Sequence, residues 1–270
     1  MNKLLILVLA GLLTVGAVAP VLAFGPVDIE AELPFYSKYV WRGQLALDGP
    51  VLQPNFDADL FGFGFAVWGN LDLDDTQGMN GTFSEIDVTL GYELELPLIE
   101  LGMGFIHYAY PKHQVGGFEV RAGNPTTEFY LEAEANVILS PELAVYQDID
   151  EYKGAYWEAS IGHGVALGET MKLELSGGLG LGSKSYMTGY FGVDPDLVPD
   201  VKSFTSASMS DYYIGAELPY HPLPTLTLFA NVKYTALLGD AKDAVEAAME
   251  SRYGGKTSAT VFGLGGRFSF

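Results

Sequence analysis

The sequence predicts an all-β fold, a transmembrane antiparallel up-and-down β-barrel of about 12 strands, on three observations. Apolar and polar residues alternate in successive segments of roughly ten residues, the length that a tilted strand needs to cross a bilayer. Short turns alternate with longer loops along the chain, as they do when strands run up and down a barrel. The segment 257–270 has one apolar face and one small or polar face, and it ends on an aromatic residue.

The amino-terminal residues have the pattern of a secretory signal peptide. Lys3 is followed by an apolar run over residues 4–19, and a Val-x-Ala cleavage site ends at Ala23. We expect residues 1–23 to be removed, so that residues 24–270 form a single barrel domain. The alternative is a retained membrane helix, since about 20 apolar residues are enough to span a bilayer. No later apolar run is that long, so insertion of the remaining chain requires strands.

Twelve segments carry the strand pattern, and turn-forming residues separate them. Residues 86–96 alternate most cleanly, residues 101–110 have no clear phase, and residues 143–150 alternate more weakly. Gly and Pro cluster between the segments, as turn conformations require. The predicted strands span residues 29–42, 52–60, 63–73, 85–96, 101–110, 128–137, 143–150, 156–165, 171–181, 211–218, 225–236 and 257–270.

The lengths of the connections predict which end of the barrel faces outward. Links from even to odd strands are short, about two to six residues, close to the size of tight hairpin loops. Links from odd to even strands are mostly longer and span residues 44–50, 74–82, 111–126, 151–154, 183–207 and 238–256. We therefore expect short periplasmic turns and long extracellular loops. Residues 241–251 are predicted to form a helix, and loop 111–126 or 183–207 is expected to fold inward and narrow the lumen.

Five aromatic residues lie near the ends of predicted strands, namely Tyr39, Trp41, Tyr92, Tyr110 and Trp157. At such positions aromatic side chains form girdles at the two membrane surfaces, but ordinary packing is as common. The sequence favours neither interpretation.

The predicted interior of the barrel is strongly acidic. The chain has 34 acidic and 14 basic residues, a formal net charge of −20, and many of the acids lie on the polar faces of the strands. A dry interior would be costly because buried charges need partners, so a lumen filled with water and counter-ions is favoured. The predicted pore-lining residues are Glu30, Glu32, Lys38, Arg42, Asp57, Asp59, Asp72, Glu85, Asp87, Glu93, Glu95, Glu128, Glu132, Glu134, Glu158, Lys172, Glu174, Asp211, Glu217, Lys233 and Arg267.

An acidic, water-filled passage predicts a cation-selective porin. Such a passage concentrates cations and repels anions, so small polar solutes that are cationic or neutral would pass. The alternative is a closed structural or surface-interaction barrel, in which acids, bases and tyrosines form a plug and the long outer loops meet partners. Lys38 and Arg42 either form a constriction opposite acids such as Asp72 or act as salt-bridge partners between strands, and the second role is favoured.

Composition and spacing disfavour several other functions. The acidic chain has no basic patch for nucleic acid, and without Cys it has neither a cysteine nucleophile nor a cysteine zinc site. The four His residues lack the His-Glu-x-x-His spacing of a metalloprotease. We expect a non-enzyme without cofactor or metal. A barrel hydrolase, the third possibility, would need a His–Ser/Thr pair meeting across strands on the outer face. The acidic loop near Asp74 matches no EF-hand spacing, so a solvated loop is favoured over a Ca²⁺ site.

Several blocks of the chain resemble a known family. The run Tyr36-Ser37-Lys38-Tyr39-Val40-Trp41-Arg42-Gly43, followed by Asp48-Gly49-Pro50, resembles the opening signature of the TorF-like porins of Gram-negative bacteria. Val67-Trp68-Gly69-Asn70 and Glu85-Ile86-Asp87 with Gly91-Tyr92 resemble the next blocks of that family. The resemblance covers about residues 28–95 and is general beyond them. It implies an outer-membrane barrel of porin type, reached after export to the periplasm, with no catalytic residue.

The end of the chain adds an expectation about partners. A last strand that ends in Phe270 resembles the closing strand of bacterial outer-membrane barrels, which implies recognition by the barrel-assembly machinery. The other expected partners are outer-membrane lipid and small solutes, and the oligomeric state is not predicted.

Overall fold

A closed antiparallel barrel of twelve strands dominates the structure, as the sequence predicts. The computed structural model describes residues 27–75, 78–192, 204–247 and 255–270. The predicted signal segment, residues 1–23, lies outside the described residues, and its cleavage remains a prediction.

The barrel strands overlap all twelve predicted segments. They are β1 (Val27–Tyr36), β2 (Val51–Leu52 and Asn55–Leu60), β3 (Phe63–Asp72), β4 (Phe83–Glu95), β5 (Ile99–Ala109), β6 (Thr126–Ala135), β7 (Glu142–Asp148), β8 (Ala155–Ala166), β9 (Lys172–Gly182), β10 (Ser208–Leu223), β11 (Leu226–Leu237) and β12 (Ser258–Ser269). β2 is interrupted next to Pro54, which has no N–H to give to the ladder.

The first and last strands close the barrel. Glu32 of β1 lies opposite Arg267 of β12 on one side and opposite Asn55 of β2 on the other. The remaining strands pair with their neighbours in chain order, and all pairs are antiparallel. Because each strand has a neighbour on both sides, the barrel leaves no strand edge unpaired.

Alternation along the strands separates an apolar outer face from a polar inner face. Leu90 of β4 and Phe105 of β5 lie opposite each other and are 58% and 50% exposed, as side chains that face lipid are. Their neighbours Gly91 and Gly104 leave room inside for the ring of Tyr130, because a Cβ on Gly91 would lie 2.3 Å from its hydroxyl. This packing gives the phase of the fifth strand, which the sequence left open.

The first predicted strand, residues 29–42, is wrong beyond Tyr36. The barrel strand ends there, and the chain turns into a small hairpin of strands Tyr39–Trp41 and Gln44–Leu47. We call residues 39–47 the inserted hairpin, because Leu45 and Leu47 on it are buried. A hairpin has the same period of two as a continuous strand, so the sequence pattern could not separate them.

Two short helices lie on the loops at the same end of the barrel. α1 (Lys184–Phe191) follows β9, and α2 (Gly239–Ala247) follows β11. Tyr186 of α1 and Ala241 of α2 are fully buried in one cluster, which also contains barrel residues of β8 and β11. The helix predicted over residues 241–251 is therefore found, although residues 248–251 lie outside the described ranges. In the described part of the chain, no helix is long and apolar enough to cross a membrane.

A second small hairpin, with strands His113–Val115 and Phe118–Val120, occupies the loop between β5 and β6. Its Phe118 and Glu119 side chains are exposed, so this hairpin lies at the surface while the inserted hairpin is buried.

Candidate functional site in the barrel interior

The tip of the inserted hairpin has a backbone that few residues adopt. Arg42 and Gly43 both have positive φ, 43° and 76°, which is the geometry of the two-residue hairpin turn that matches strand twist. Gly43 also has no space for a side chain, because a Cβ there would lie 2.4 Å from the Cβ of Asp211 on β10. The turn is thus pressed against the inner wall of the barrel.

This turn carries Arg42 to a carboxylate on the opposite part of the wall. Its Nη1 and Nη2 atoms donate to the two carboxylate oxygens of Glu128 on β6, at 2.8 and 2.7 Å. Tyr108 on β5 donates a third hydrogen bond to Glu128, at 2.8 Å. The Arg42 and Glu128 side chains are 8% and 1% exposed. A bidentate ion pair with such low solvent exposure holds the hairpin in one orientation.

Aromatic rings surround the Arg42 guanidinium. Its Cζ lies 4.4 Å from the ring centroid of Trp41 and 4.5 Å from those of Tyr146 and Tyr156. Burial alone would lower the pKa of Arg42, but the Tyr108 hydroxyl and the Glu128 carboxylate raise it well above its usual range. The guanidinium therefore keeps its charge, and cation–π contacts add to the ion pair.

Two cavities lie between the Arg42–Glu128 pair and the end of the barrel with the short turns, the predicted periplasmic end. The larger, of about 1100 Å³, reaches from Lys38 and Tyr39 to the short β6–β7 turn at Ile138. The smaller, of about 370 Å³, lies beside the short-turn ends of β1–β4 and is lined by acids that include Asp59 and Glu93.

A third cavity lies on the outer side of the inserted hairpin. It measures about 470 Å³, and its lining includes Trp41 of the hairpin, Asp72 and Glu85 of the barrel wall, and Tyr190 of α1. We call it the outer cavity. Together the three cavities are lined by eleven acidic and three basic residues, so each of them is a better environment for cations than for anions.

The predicted pore-lining residues occupy four kinds of place, and their role in a pore remains a prediction. Seven of them line the large cavity, namely Lys38, Glu134, Glu158, Lys172, Glu174, Glu217 and Lys233. Four line the small cavity, namely Glu30, Asp57, Asp59 and Glu93. Two line the outer cavity, namely Asp72 and Glu85. Of the others, Arg42 and Glu128 pair with each other, and Arg267 pairs with Glu30 and Glu32. Glu132 accepts a hydrogen bond from Tyr146, and Asp211 accepts from Ser210 and Tyr156. Asp87 is half-buried, with no hydrogen-bond partner for its buried Oδ1, and Glu95 is exposed at the end of β4.

The two bases weighed for a constriction have separate partners. Lys38 forms an ion pair with Asp48, which also contacts Lys256. Arg42 pairs with Glu128 and not with an acid such as Asp72. Arg42 reaches the lumen from a hairpin turn, whereas the sequence placed it on a continuous strand.

Sequence reasoning missed the tyrosines and the tryptophan that fill the outer half of the lumen. Trp41 and Tyr39 were weighed as girdle residues, but they pack inside, where Trp41 lies 5.0 Å from the ring of Tyr190. Tyr156 alternates in phase with the inward Glu158 of the same strand, which is the signal that could have placed it in the lumen. Tyr190 lies on a helix that the sequence did not predict.

Two histidines meet threonines across neighbouring parts of the barrel. His107 Nδ1 on β5 lies 3.0 Å from Thr127 Oγ1 on β6, and both residues point to the outer face. His221 Nδ1 lies 2.8 Å from Thr227 Oγ1. Such a pair is what a barrel hydrolase would need, but among the described residues no carboxylate accepts a hydrogen bond from His107. The pair therefore lacks the orienting acid of a triad.

Comparison with known proteins gives one family and a set of similar folds. The family model described as MltA-interacting protein MipA matches residues 34–244. No curated protein matches the chain.

Among solved structures, an outer-membrane channel from Pseudomonas putida F1 is similar, with a TM-score of 0.51, 9% identity, and coverage of 91% of this chain and 96% of that chain. The KdgM porin in complex with disordered oligogalacturonate has a TM-score of 0.49 at 12% identity, covering 90% and 99% of the two chains. The NanC porin has a TM-score of 0.46 at 11% identity, covering 90% and 98%. At this identity, the likeness to the Pseudomonas putida channel shows a shared barrel fold.

Proposed function

This chain belongs to the MipA family, and we propose that it forms an outer-membrane channel that lets small polar solutes pass, with a preference for cations. Its closed barrel has an apolar outer face that suits a bilayer and a polar inner face that suits water. The narrower assignment, to the TorF-like porins, stays a prediction.

The observation that carries this proposal is the charge of the interior cavities. Eleven acidic residues and three basic residues line them, and the small cavity has five acids and no base. Carboxylates around a narrow, water-filled space with low-dielectric walls raise the local concentration of cations. Transfer of an anion through the same space would be opposed at each of the three cavities.

The inserted hairpin makes this a narrow channel. Its tip and the aromatic residues around Arg42 separate the two periplasmic cavities from the outer cavity. We expect solutes to pass beside the hairpin, so that only small ions and molecules are conducted and the conductance is low for a barrel of this size.

Single-channel recording of the refolded mature barrel in a planar bilayer tests the proposal. We expect a stable conductance that favours K⁺ over Cl⁻. The double substitution Glu93→Gln and Glu134→Gln removes one charge from each periplasmic cavity and should reduce the preference for K⁺.

The matched control for this experiment is Glu119→Gln, the same chemical change on the exposed surface hairpin. Its selectivity should equal that of the unmodified chain. If both variants changed selectivity equally, the cavities would not be the source of the preference.

A closed interaction barrel is the second candidate, and a specific observation favours it. The family is described by its interaction with MltA, and the short turn after β6 exposes apolar side chains at the periplasmic end, with Ile138 79% exposed. On this alternative the folded barrel conducts nothing but binds MltA, and Ile138→Ser weakens the binding. Absence of conductance together with MltA binding would therefore decide for the interaction barrel.

A further inference from the structure

We propose that the outer cavity is a binding site for small organic ammonium ions. The inference rests on the proposed function, since a cation-preferring channel would take up its solute from this side. It also names a chemical class of ligand for a site on the outer side of the inserted hairpin. Three features of the cavity carry it: aromatic walls, an acidic floor without a Lys or Arg ion pair among the described residues, and a buried amide with no acceptor.

The walls of the outer cavity are aromatic. Five rings line it, those of Tyr39, Trp41, Tyr110, Tyr152 and Tyr190. They come from the inserted hairpin, from the loops after β5 and β7, and from α1, so four separate elements converge there. The ring centroids of Tyr152 and Tyr190 are 4.5 Å apart, and Trp41 lies 5.0 Å from Tyr190. Aromatic rings around one space attract a cation to their faces.

The floor of the outer cavity holds two buried carboxylates. Asp72 and Glu85 are 2% and 5% exposed. Asp72 accepts hydrogen bonds from Asn70 and Ser84, and Glu85 accepts one from Tyr39 at 2.8 Å. In the described part of the chain, no Lys or Arg side chain forms an ion pair with either carboxylate. Buried carboxylates without a counter-charge are costly, and a bound cation removes that cost.

The nearest buried base, Arg42, already forms an ion pair with Glu128. Arg42 lies on the far side of Trp41, where both of its terminal nitrogens are bonded to Glu128. Its charge is therefore balanced within its own pair and does not neutralise Glu85 or Asp72.

The lining favours an organic cation over a metal ion. Within the described ranges, no group of three or more His, Asp or Glu side chains is placed to hold a metal ion. A volume of about 470 Å³ is within the range of sites for small organic ligands.

Gln44 also lines the cavity, and its buried Nε2 has no hydrogen-bond acceptor. A ligand with an ammonium group and a hydroxyl oxygen would satisfy both the carboxylates and this amide.

The outer cavity has an exposed rim above its buried floor. Asn124, Gly189 and Gly192 at the rim are exposed, whereas Asp72, Ser84 and Glu85 at the floor are buried. A ligand from the outside would therefore reach the carboxylates without crossing the Arg42–Glu128 pair.

Titration calorimetry of the folded full barrel in detergent tests the site, with choline as the probe. The matched control ligand is 3,3-dimethylbutan-1-ol, which has the same shape and hydroxyl but no charge. We expect saturable choline binding that is at least ten-fold tighter than binding of the neutral alcohol. Equal binding of the two ligands, or no binding of choline, would overturn the proposal without the need for any variant.

Variants locate the binding within the molecule. Glu85→Gln should weaken choline binding at least ten-fold, a change of about 1.4 kcal/mol. Glu246→Gln, the same change on the exposed face of α2, should leave it unchanged. If Ca²⁺ at equal concentration displaced choline, the site would be one for metal ions and the assignment would be wrong.

The outcome can be separated from that of the proposed function. A barrel that conducts but does not bind choline contradicts the site alone. A barrel that binds choline but does not conduct contradicts the channel alone.

Discussion

At the scale of single residues, Arg42 connects a loop to the barrel wall. Its guanidinium is bonded twice to Glu128 and is covered by the rings of Trp41, Tyr146 and Tyr156. Because the carboxylate is 1% exposed, it depends on Arg42 for charge compensation. A buried pair of this kind adds little net stability, but loss of one partner is strongly unfavourable.

We expect Arg42→Gln to destabilise the folded barrel by about 3–5 kcal/mol, since Glu128 would stay buried without a counter-charge. Unfolding in urea from detergent micelles measures the change. The control is Lys112→Gln, which breaks an exposed ion pair with Glu119 and should cost no more than about 1 kcal/mol. Equal costs for the two variants would mean that the Arg42 pair is not buried in solution.

Gly43 gives a second prediction, in which packing can be separated from backbone strain. Gly43 and Gly81 have nearly the same φ, 76° and 77°, but a Cβ would clash with Asp211 at Gly43 and meets nothing within 4 Å at Gly81. Gly81→Ala should cost only the strain of positive φ, about 1–2 kcal/mol. Gly43→Ala should cost more, and it should shift Trp41 fluorescence because the hairpin is displaced. Equal unfolding free energies would contradict the close approach of the hairpin to β10.

At the scale of secondary-structure elements, the inserted hairpin determines how the lumen is divided. Its residues line both the large cavity and the outer cavity, and Leu45 and Leu47 are each 3% exposed. The hairpin is covalently attached only at the outer end of β1 and at β2, so its place inside the barrel depends on side-chain contacts.

Replacement of residues 39–47 by a short Gly-Ser linker should raise single-channel conductance, because it removes the main obstruction between the cavities. The control replaces the surface hairpin, residues 113–120, by the same linker and should leave conductance unchanged. If the first variant folded and conducted no more than the unmodified chain, the passage would not run beside the inserted hairpin.

The sequence predicted the barrel well and its interior only in part, for physical reasons. Each strand faces lipid on one side and a polar lumen on the other, so the period of two is strong, as in residues 86–95 of β4. The hairpin at Tyr39–Leu47 keeps that period while reversing direction, and the pattern carries no information on which wall it meets. The Arg42–Glu128 pair joins residues 86 positions apart, a contact that depends on barrel closure and that alternation alone cannot reveal.

At the scale of the whole molecule, the distribution of charge follows from the fold. A chain with a net charge of −20 folds into a barrel whose outer face is apolar, so many of its acids lie on the inner face. Ion pairs such as Arg267 with Glu30 and Glu32 balance only part of that charge. The remaining carboxylates need water and mobile cations, which a channel supplies and a dry plug does not.

The most direct test of the acidic channel is the reversal potential of the refolded barrel in a planar bilayer with KCl more concentrated on one side. Our account predicts a stable conductance and a reversal potential whose sign corresponds to K⁺ crossing more readily than Cl⁻. It also predicts a smaller preference at high salt, because screening weakens the field of the carboxylates. A reversal potential of the opposite sign, or a folded barrel without conductance, would contradict the account.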